Sequence, residues 1–117
     1  MSVAIYGIKN CDTMKKALAW LDARRIAYVF HDYKKTGADK ELLEQAVRRH
    51  GWEQLVNRKG TSWRALPDEV KSSMDAAGAV EAALANPSLI RRPLLVHEGR
   101  IHLGFSESEY AALFERS

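Results

Sequence analysis

The most reactive side chain in this sequence belongs to Cys11, the only cysteine among its 117 residues. The apolar segment 3–8 that precedes it is typical of a buried strand, and helical periodicity begins at Met14. A thiol at the start of a helix faces unpaired N–H groups and the positive end of the helix dipole. Both favour the thiolate, which is the nucleophilic form of cysteine. The sequence therefore predicts that Cys11 is a catalytic nucleophile.

The alternative is that Cys11 is a buried cysteine that packs as a small hydrophobic residue, as most free cysteines do. Its neighbours favour a functional role, because Lys9, Asn10, Asp12 and Thr13 form a polar segment that would be costly to bury. We include these four residues among the candidates that bind a substrate or glutathione. Helix capping is the expected role of Asp12 or Thr13, and Asp12 is also a candidate acid or base near the thiol.

Met14 occupies the fourth position of a C-x-x-C pattern that begins at Cys11, so the sequence lacks a second, resolving thiol. A cysteine that attacks an oxidised substrate would remain in a mixed disulfide until an outside thiol released it. Glutathione is an abundant thiol, and its negative charge suits a basic site. We expect glutathione to act as a co-substrate and expect no bound cofactor.

Other cations are candidates for holding an anionic substrate. Lys15 lies one helical turn after Cys11 on the same side, and it either reaches back towards the sulfur or is a solvated surface lysine. Arg58 and Lys59 lie in a glycine-containing loop, where long side chains reach a ligand or stay on the surface. The sequence leaves these alternatives open.

Arg92 and Pro93 form a more specific motif, because two arginines precede a buried strand that begins with the proline. Such a turn would direct one guanidinium at the end of the sheet, and it is consistent with a cis peptide bond before Pro93. Arginine suits carboxylates and oxyanions because it donates two parallel hydrogen bonds. In contrast, the four histidines have no metal-ligand spacing with each other or with Cys11, and the sequence predicts no metal site.

The predicted elements follow the order β-α-β, several helices, then β-β-α. Strands are expected at 3–8, 26–33, 93–97 and 100–103, with a turn at 34–37. Helices are expected at 13–25, 38–50 and 75–85, and Ser106 is expected to cap a last helix. Short helical pieces are expected at 52–56, at 62–66 and after Pro67. Without a helical insertion over about 38–88, the order βαβ–ββα predicts a thioredoxin-like, mixed four-stranded sheet of the α/β class. We expect one domain over residues 1–117.

Composition limits the function classes. Eighteen Lys and Arg against fifteen Asp and Glu give a net charge of +3, and their dispersal does not form the basic stripe of a nucleic-acid reader. No apolar stretch approaches the roughly 18 residues that would span a membrane. The N-terminus lacks the pattern of a secretory signal, and a lone cysteine excludes an internal disulfide, so we expect a cytoplasmic protein. No heptad pattern calls for a dimer, so we expect a monomer.

The segment 6–17, Tyr-Gly-Ile-Lys-Asn-Cys-Asp-Thr-Met-Lys-Lys-Ala, resembles the arsenate reductase (ArsC)-like family. The resemblance is closest to its YffB branch, with a more distant relation to the Spx regulators. Further matches lie at 31–33 (His-Asp-Tyr), 51–52 (Gly-Trp), 60–64 (Gly-Thr-Ser-Trp-Arg), 92–95 (Arg-Pro-Leu-Leu) and 103–106 (Leu-Gly-Phe-Ser). The resemblance therefore extends through nearly the whole chain in the same order.

This resemblance implies a thioredoxin-like domain with a helical insertion, a nucleophilic Cys11, a basic residue at Lys15, and an anion-binding Arg92 before a cis Pro93. Arsenate reductases of this type use glutathione and glutaredoxin, so glutaredoxin is a possible partner here. They also carry an arginine from a loop within the insertion, a position for which Arg58 and Lys59 compete.

The sequence departs from the arsenate reductases near its C-terminus. There, those enzymes keep another arginine ahead of a Pro-Ser-Glu stretch, whereas this chain has Gly-Phe-Ser-Glu at 104–107. Loss of one charge-assisted hydrogen bond, about 1.5–3 kcal/mol, should weaken arsenate binding. The YffB branch implies a glutathione-dependent thiol reductase, which we take as the first hypothesis. Arsenate reduction is the second, and a Spx-like module that binds RNA polymerase without catalysis is the third.

Overall fold

A computed structural model of the chain describes residues 3–9 and 11–114. The chain divides into two compact units. The first contains the residues up to Asp32 and those from Arg92 onwards, and the second contains Tyr33–Arg91. The second unit includes the predicted insertion 38–88 and extends it by a few residues at each end. The expectation of one domain stays a prediction.

The first unit is built on a sheet of four strands in the order β2-β1-β3-β4. The strands are β1 Val3–Gly7, β2 Val29–Asp32, β3 Leu94–His97 and β4 Arg100–Leu103. β1 pairs in parallel with β2 and antiparallel with β3, and β3 and β4 form an antiparallel hairpin. The predicted mixed, thioredoxin-like α/β fold is therefore confirmed.

Eight α-helices and one short 3₁₀ helix are found in the described part of the chain. Their bounds are α1 Asp12–Ala23, α2 Tyr33–Thr36, α3 Lys40–His50, α4 Trp52–Leu55, α5 Thr61–Arg64, α6 Asp68–Ser72, α7 Ala76–Ala85, the 3₁₀ helix Pro87–Leu89, and α8 Glu107–Phe114. The predicted helices are present, with ends that differ by a residue or two from the sequence pattern. The predicted turn at 34–37 is instead the helical turn α2, closed by Gly37 at a positive φ of 75°.

The core of the first unit joins β1, α1, β3 and α8. Its buried members are Val3, Ile5, Met14, Ala17, Trp20, Leu21, Leu95 and Tyr110. In α1 these positions recur every three or four residues, as expected for a helix with one apolar face. Cys11 packs at the border of this cluster and is half-buried. Burial of this face fixes α1 on the sheet and places its first turn beyond the end of β1.

The predicted strand 26–33 is too long, because β2 starts only at Val29. The preceding residues close α1 instead. The N–H of Ile26 donates to the carbonyl of Leu21 and the N–H of Arg25 to that of Asp22, both at 3.0 Å. Arg25 has a φ of 56°, so the pattern is a Schellman motif with arginine in the left-handed position.

The second unit consists of α2 to α7 and the 3₁₀ helix. Asp39 caps α3 by accepting from the N–H of Glu41 at 3.0 Å, and Asp75 caps α7 by accepting from Gly78 at 2.7 Å. A second buried cluster contains Val56, Ala79 and Leu89, with Trp52 and Trp63 packed against it. This unit therefore has a core of its own.

Candidate active site around Cys11

Cys11 is the N-cap residue of α1, with φ −131° and ψ 128°. Its carbonyl accepts the N–H of Lys15 at 3.0 Å, which is the first hydrogen bond of the helix. The predicted position of the thiol at a helix start is therefore confirmed. The expectation that Asp12 or Thr13 caps this helix is wrong, because α1 begins one residue earlier and both lie inside its first turn.

The pKa of the Cys11 thiol lies below its ordinary value, although burial alone would raise it. The N–H of Met14, the hydrogen bond and positive charge of the Arg92 guanidinium, and the N–H of Thr13 together outweigh that burial. The thiol makes no conventional capping hydrogen bond, so these amides act on the sulfur mainly by stabilising its ionised form. Helix-start amides and one arginine therefore favour the thiolate.

Arg92, which lies just before β3, acts on the sulfur of Cys11. Tyr6 in β1 pairs with Leu94 in β3, so the residues just before β3 lie at the edge where β1 ends. The Arg92–Pro93 peptide bond is cis, and the carbonyl of Pro93 accepts the N–H of Gly104 at 2.9 Å. The pairing of β1 with β3 brings Arg92 to the Cys11 end of the sheet, and Pro93 is buried.

Met14 fills the position at which a C-x-x-C protein has its second cysteine, and its side chain is fully buried. Sequence reasoning treated it only as a missing thiol and a core residue. Its N–H makes the largest single contribution among those that lower the thiol pKa, whereas Arg92 contributes both a hydrogen bond and a positive charge. The signal that could have identified it is its place three residues after the N-cap, where helix N–H groups have no partner within the helix.

The other candidates near the thiol differ in exposure. Lys9, Asp12 and Lys15 have exposed side chains, and Thr13 is half-buried. Neither lysine is among the groups that lower the Cys11 pKa, so the charge expected from them is supplied by Arg92 instead. Asn10 lies outside the described residues. A substrate-binding role for these residues stays a prediction.

Arg58 and Lys59 lie in an exposed turn of the second unit, between α4 and α5. The guanidinium of Arg58 lies 5.7 Å from the ring centre of Trp52, and the carbonyl of Lys59 accepts a hydrogen bond from Arg64. Arg58 therefore has a local stacking contact, and Lys59 an ordered backbone. Whether either residue binds a substrate stays a prediction.

A cavity of about 360 Å³ lies far from the thiol and is lined by residues that include His97, Arg100 and His102. His97 pairs with Val3 at the beginning of β1, whereas Cys11 follows the end of that strand. The cavity is therefore at the opposite end of the sheet, and we locate the site by its chemistry rather than by cavity size.

Two further observations concern the described residues 3–9 and 11–114. No group of three or more His, Cys, Asp or Glu side chains is arranged so that it could hold a metal ion. None of the helices in this part has both the length and the apolar character needed to cross a membrane.

Comparison with solved structures supports the fold. A protein named YffB is 49% identical, with a TM-score of 0.92 and coverage of 95% of this chain and 97% of the other. An arsenate reductase (ArsC)-related protein from Brucella melitensis is 53% identical, with a TM-score of 0.78 and coverage of 98% and 96%. Both likenesses extend over nearly the entire length of each protein.

Sequence relatives cover the same length. A Haemophilus influenzae protein described as uncharacterized is 46% identical over 112 residues, which cover 96% of this chain and 98% of the relative. The global transcriptional regulator Spx of Streptococcus agalactiae is 27% identical over 116 residues, covering 97% of this chain and 84% of the regulator. The model of the ArsC family matches residues 6–113. By this match and the shared fold, the chain belongs to the ArsC family.

Proposed function

We propose that this protein is a glutathione-dependent thiol–disulfide reductase that uses Cys11 as its single nucleophile. The observation that supports it most is the lowered pKa of a half-buried thiol, which amides and Arg92 keep low against the effect of burial. Such a thiol is a thiolate over more of the neutral pH range than an ordinary cysteine. A purely structural cysteine has no need of this environment.

The proposed reaction has two exchange steps. In the first, the Cys11 thiolate attacks the glutathione sulfur of a mixed disulfide between glutathione and a substrate thiol. The S–S bond breaks, Cys11 becomes glutathionylated, and the substrate leaves as a thiolate that takes a proton from water. In the second, the thiolate of another glutathione attacks the glutathione sulfur of the Cys11 mixed disulfide, which breaks the S–S bond, releases oxidised glutathione and leaves Cys11 as the thiolate.

The absence of a second thiol at position 14 supports the use of an outside reductant. Met14 is fully buried there, so glutathionylated Cys11 has no neighbouring cysteine to displace the glutathione. We propose that Arg92, which lies beside the sulfur, holds a carboxylate of glutathione as well as the thiolate. The exposed Lys15, one helical turn away, is a second candidate for that role.

The test is mass spectrometry after incubation with oxidised glutathione near neutral pH. We expect one glutathione adduct on Cys11 and its removal by reduced glutathione. Cys11→Ser, which keeps the size of the side chain, is the matched control and should remain unmodified. Wild-type protein that acquires no adduct would contradict the proposal.

Arsenate reduction is a second candidate, because the Brucella melitensis protein of 53% identity carries the description arsenate reductase-related. Cys11 would form a bond to arsenic with loss of water, and two glutathione molecules would supply the two electrons that reduce As(V) to As(III) and become oxidised glutathione. Residues 104–107 offer no cation for the oxyanion. The test measures NADPH consumption that depends on arsenate, coupled through glutaredoxin and glutathione reductase. A rate no higher than background would exclude arsenate reduction.

A binding role without turnover is the third candidate, favoured by the 27% identity with Spx over most of the chain. Spx regulators often carry a C-x-x-C redox switch at this loop, and Met14 replaces its second cysteine here. We therefore rank this role last. Recovery of RNA polymerase subunits with the tagged protein from a lysate would support it, and their absence would remove it.

A further inference from the structure

Gly7 and Met14 approach each other closely at the junction between β1 and α1. A Cβ atom placed on Gly7 would lie 2.3 Å from Sδ of Met14, 2.9 Å from its Cε and 3.2 Å from its Cγ. Contacts below 3.0 Å are not tolerated by real side chains. Any residue other than glycine at position 7 would therefore displace Met14.

Backbone conformation does not explain the glycine. Gly37, Gly51, Gly99 and Gly104 have positive φ, which other residues adopt only with strain, whereas Gly7 is an ordinary strand residue outside that region. Alanine at position 7 would thus meet no conformational barrier. The remaining requirement is space, and the side chain of Met14 occupies that space.

Met14 is surrounded by core side chains rather than by solvent. Its side chain is fully buried in the core cluster with Ile5, Ala17 and Leu21. Close-packed interiors transmit a displacement to the backbone when no void can absorb it. Because Met14 is the third residue of α1, a displacement there moves the first turn of the helix, and the N–H of Met14 with it.

We propose that Gly7 and Met14 form a positioning pair that seats the first turn of α1 against the end of β1 and thereby holds the N–H groups of that turn at the Cys11 sulfur. The inference deepens the proposed function, since it assigns the reactivity of the nucleophile to a contact outside the reacting groups. Neither residue is a catalytic residue, because both act through the backbone of α1.

The charged groups around Cys11 are separate from this contact. Arg92 faces the sulfur from the residues before β3, and Lys9, Asp12 and Lys15 lie on the loop and first turn of α1. None of these groups is changed by a substitution at position 7 or 14. A change in the reactivity of Cys11 would therefore report the position of the helix start.

The experiment measures the rate of alkylation of Cys11 by iodoacetamide as a function of pH, with thermal unfolding as a check on folding. For Gly7→Ala we expect the rise in rate to move to higher pH, with a rate at pH 7 lower by about threefold or more. The double variant Gly7→Ala/Met14→Ala removes the clash and should return the profile to that of the wild type. Met14→Leu conserves side-chain volume and should leave the profile unchanged.

Gly60→Ala is the matched control, because this glycine lies in the second unit and has φ −83°. It should leave alkylation unchanged. If Gly7→Ala alone does not fold, Met14→Phe enlarges the other member of the pair and should also move the profile to higher pH. The proposal is overturned if the folded single variant keeps the wild-type profile, or if the double variant folds and does not recover it.

These outcomes are distinct from a failure of the proposed function. Alkylation requires no glutathione, so a wild-type protein with a reactive thiol but no glutathione adduct would remove the reductase and leave the positioning pair intact. A glutathione adduct on the wild type together with an unchanged alkylation profile in Gly7→Ala would support the reductase and overturn the positioning pair.

Discussion

Arg92 lies beside Cys11 and lowers the pKa of its thiol by hydrogen bonding and by its positive charge, although one residue precedes β3 and the other caps α1. The two meet because the antiparallel pairing of β1 with β3 brings the end of one strand to the beginning of the other. The reactive state of the thiol therefore depends on assembly of the sheet as well as on the local helix start.

Replacement of Arg92 by alanine should raise the pKa of Cys11, because it removes both a hydrogen bond and a positive charge from the thiolate. Burial would still oppose ionisation of the thiol, and only the N–H groups of Met14 and Thr13 would remain to favour the thiolate. We expect alkylation at pH 7 to slow by about three- to tenfold, as a partly exposed charge-assisted hydrogen bond would give. Iodoacetamide kinetics on the folded variant measure this.

Arg91→Ala is the matched control for that substitution. The Nε of Arg91 donates to the carbonyl of Gln54 at 2.9 Å within the second unit, so it contributes nothing to the thiolate. Alkylation of this variant should match the wild type. An equal effect of the two substitutions would show that the charge of Arg92 is not what lowers the pKa.

The pH profile of the wild type should rise at lower pH than that of a free cysteine. Only the thiolate reacts with iodoacetamide, so a lowered pKa moves the rise of the alkylation rate below the ordinary value of ~8.5. The helix-start amides and Arg92 are the cause. Cysteine in a short peptide, or the same protein unfolded in urea, is the reference. Coincidence of the folded and unfolded profiles would contradict a functional thiolate.

Met14→Cys should convert the single thiol into a dithiol. Position 14 follows Cys11 by one helical turn, and its side chain is buried beside the same core. We expect mild oxidation to form an internal disulfide and glutathionylation of Cys11 to become transient, because the new thiol displaces glutathione. Loss of side-chain volume in the core should cost about 1–3 kcal/mol in the free energy of unfolding.

The count of free thiols before and after oxidation measures the disulfide, and intact mass measures the adduct. Met14→Ser is the matched control, because it creates a similar gap without a thiol. It should show a similar loss of stability and a persistent adduct. If oxidised Met14→Cys still has two free thiols, the helix start is too rigid to form the disulfide between positions 11 and 14.

Local sequence patterns predicted most of the first unit. The apolar segment 3–8 and the helical periodicity from Met14 each depend on neighbouring residues, and the structure has β1 and α1 at these places. Ser106 likewise accepts the N–H of Glu109 at 3.4 Å, as predicted for the residue that caps the last helix. These features follow from short-range physical chemistry, which a single sequence contains.

Long-range and unusual backbone features were not predictable in the same way. Arg25 adopts the left-handed conformation that glycine usually provides at a helix end, so no residue type signalled the Schellman motif that shortens β2. The contact of Arg92 with Cys11 depends on strand order, and the close approach of Gly7 to Met14 depends on packing. Sequence alone placed these residues near the correct elements but not against each other.

Tyr110→Phe should stabilise the protein, because the buried Tyr110 hydroxyl has no hydrogen-bond partner among residues 3–9 and 11–114. The ring packs edge-on against Trp20 at 5.6 Å and Phe105 at 4.8 Å, and phenylalanine retains both contacts. Removal of a buried, unsatisfied hydroxyl should increase the free energy of unfolding by about 1 kcal/mol. Thermal and urea unfolding at neutral pH measure the change.

The pKa of Tyr110 is shifted in the direction opposite to that of Cys11, and this shift makes the free energy of unfolding depend on pH. Burial, with a smaller contribution from the charge of Glu109, raises the pKa of Tyr110 far above its ordinary value. The folded state thus holds this tyrosine neutral, and the stability linked to it is complete below about pH 10, where unfolded tyrosine begins to ionise. This contribution to stability is lost as the pH rises from there towards the raised folded-state pKa, so Tyr110→Phe should resist alkaline unfolding better than the wild type.

Tyr28→Phe is the control for Tyr110→Phe. The hydroxyl of Tyr28 donates to Asp22 at 2.9 Å, so its removal should be neutral or slightly destabilising. Equal responses of the two variants would mean that the Tyr110 hydroxyl is satisfied after all.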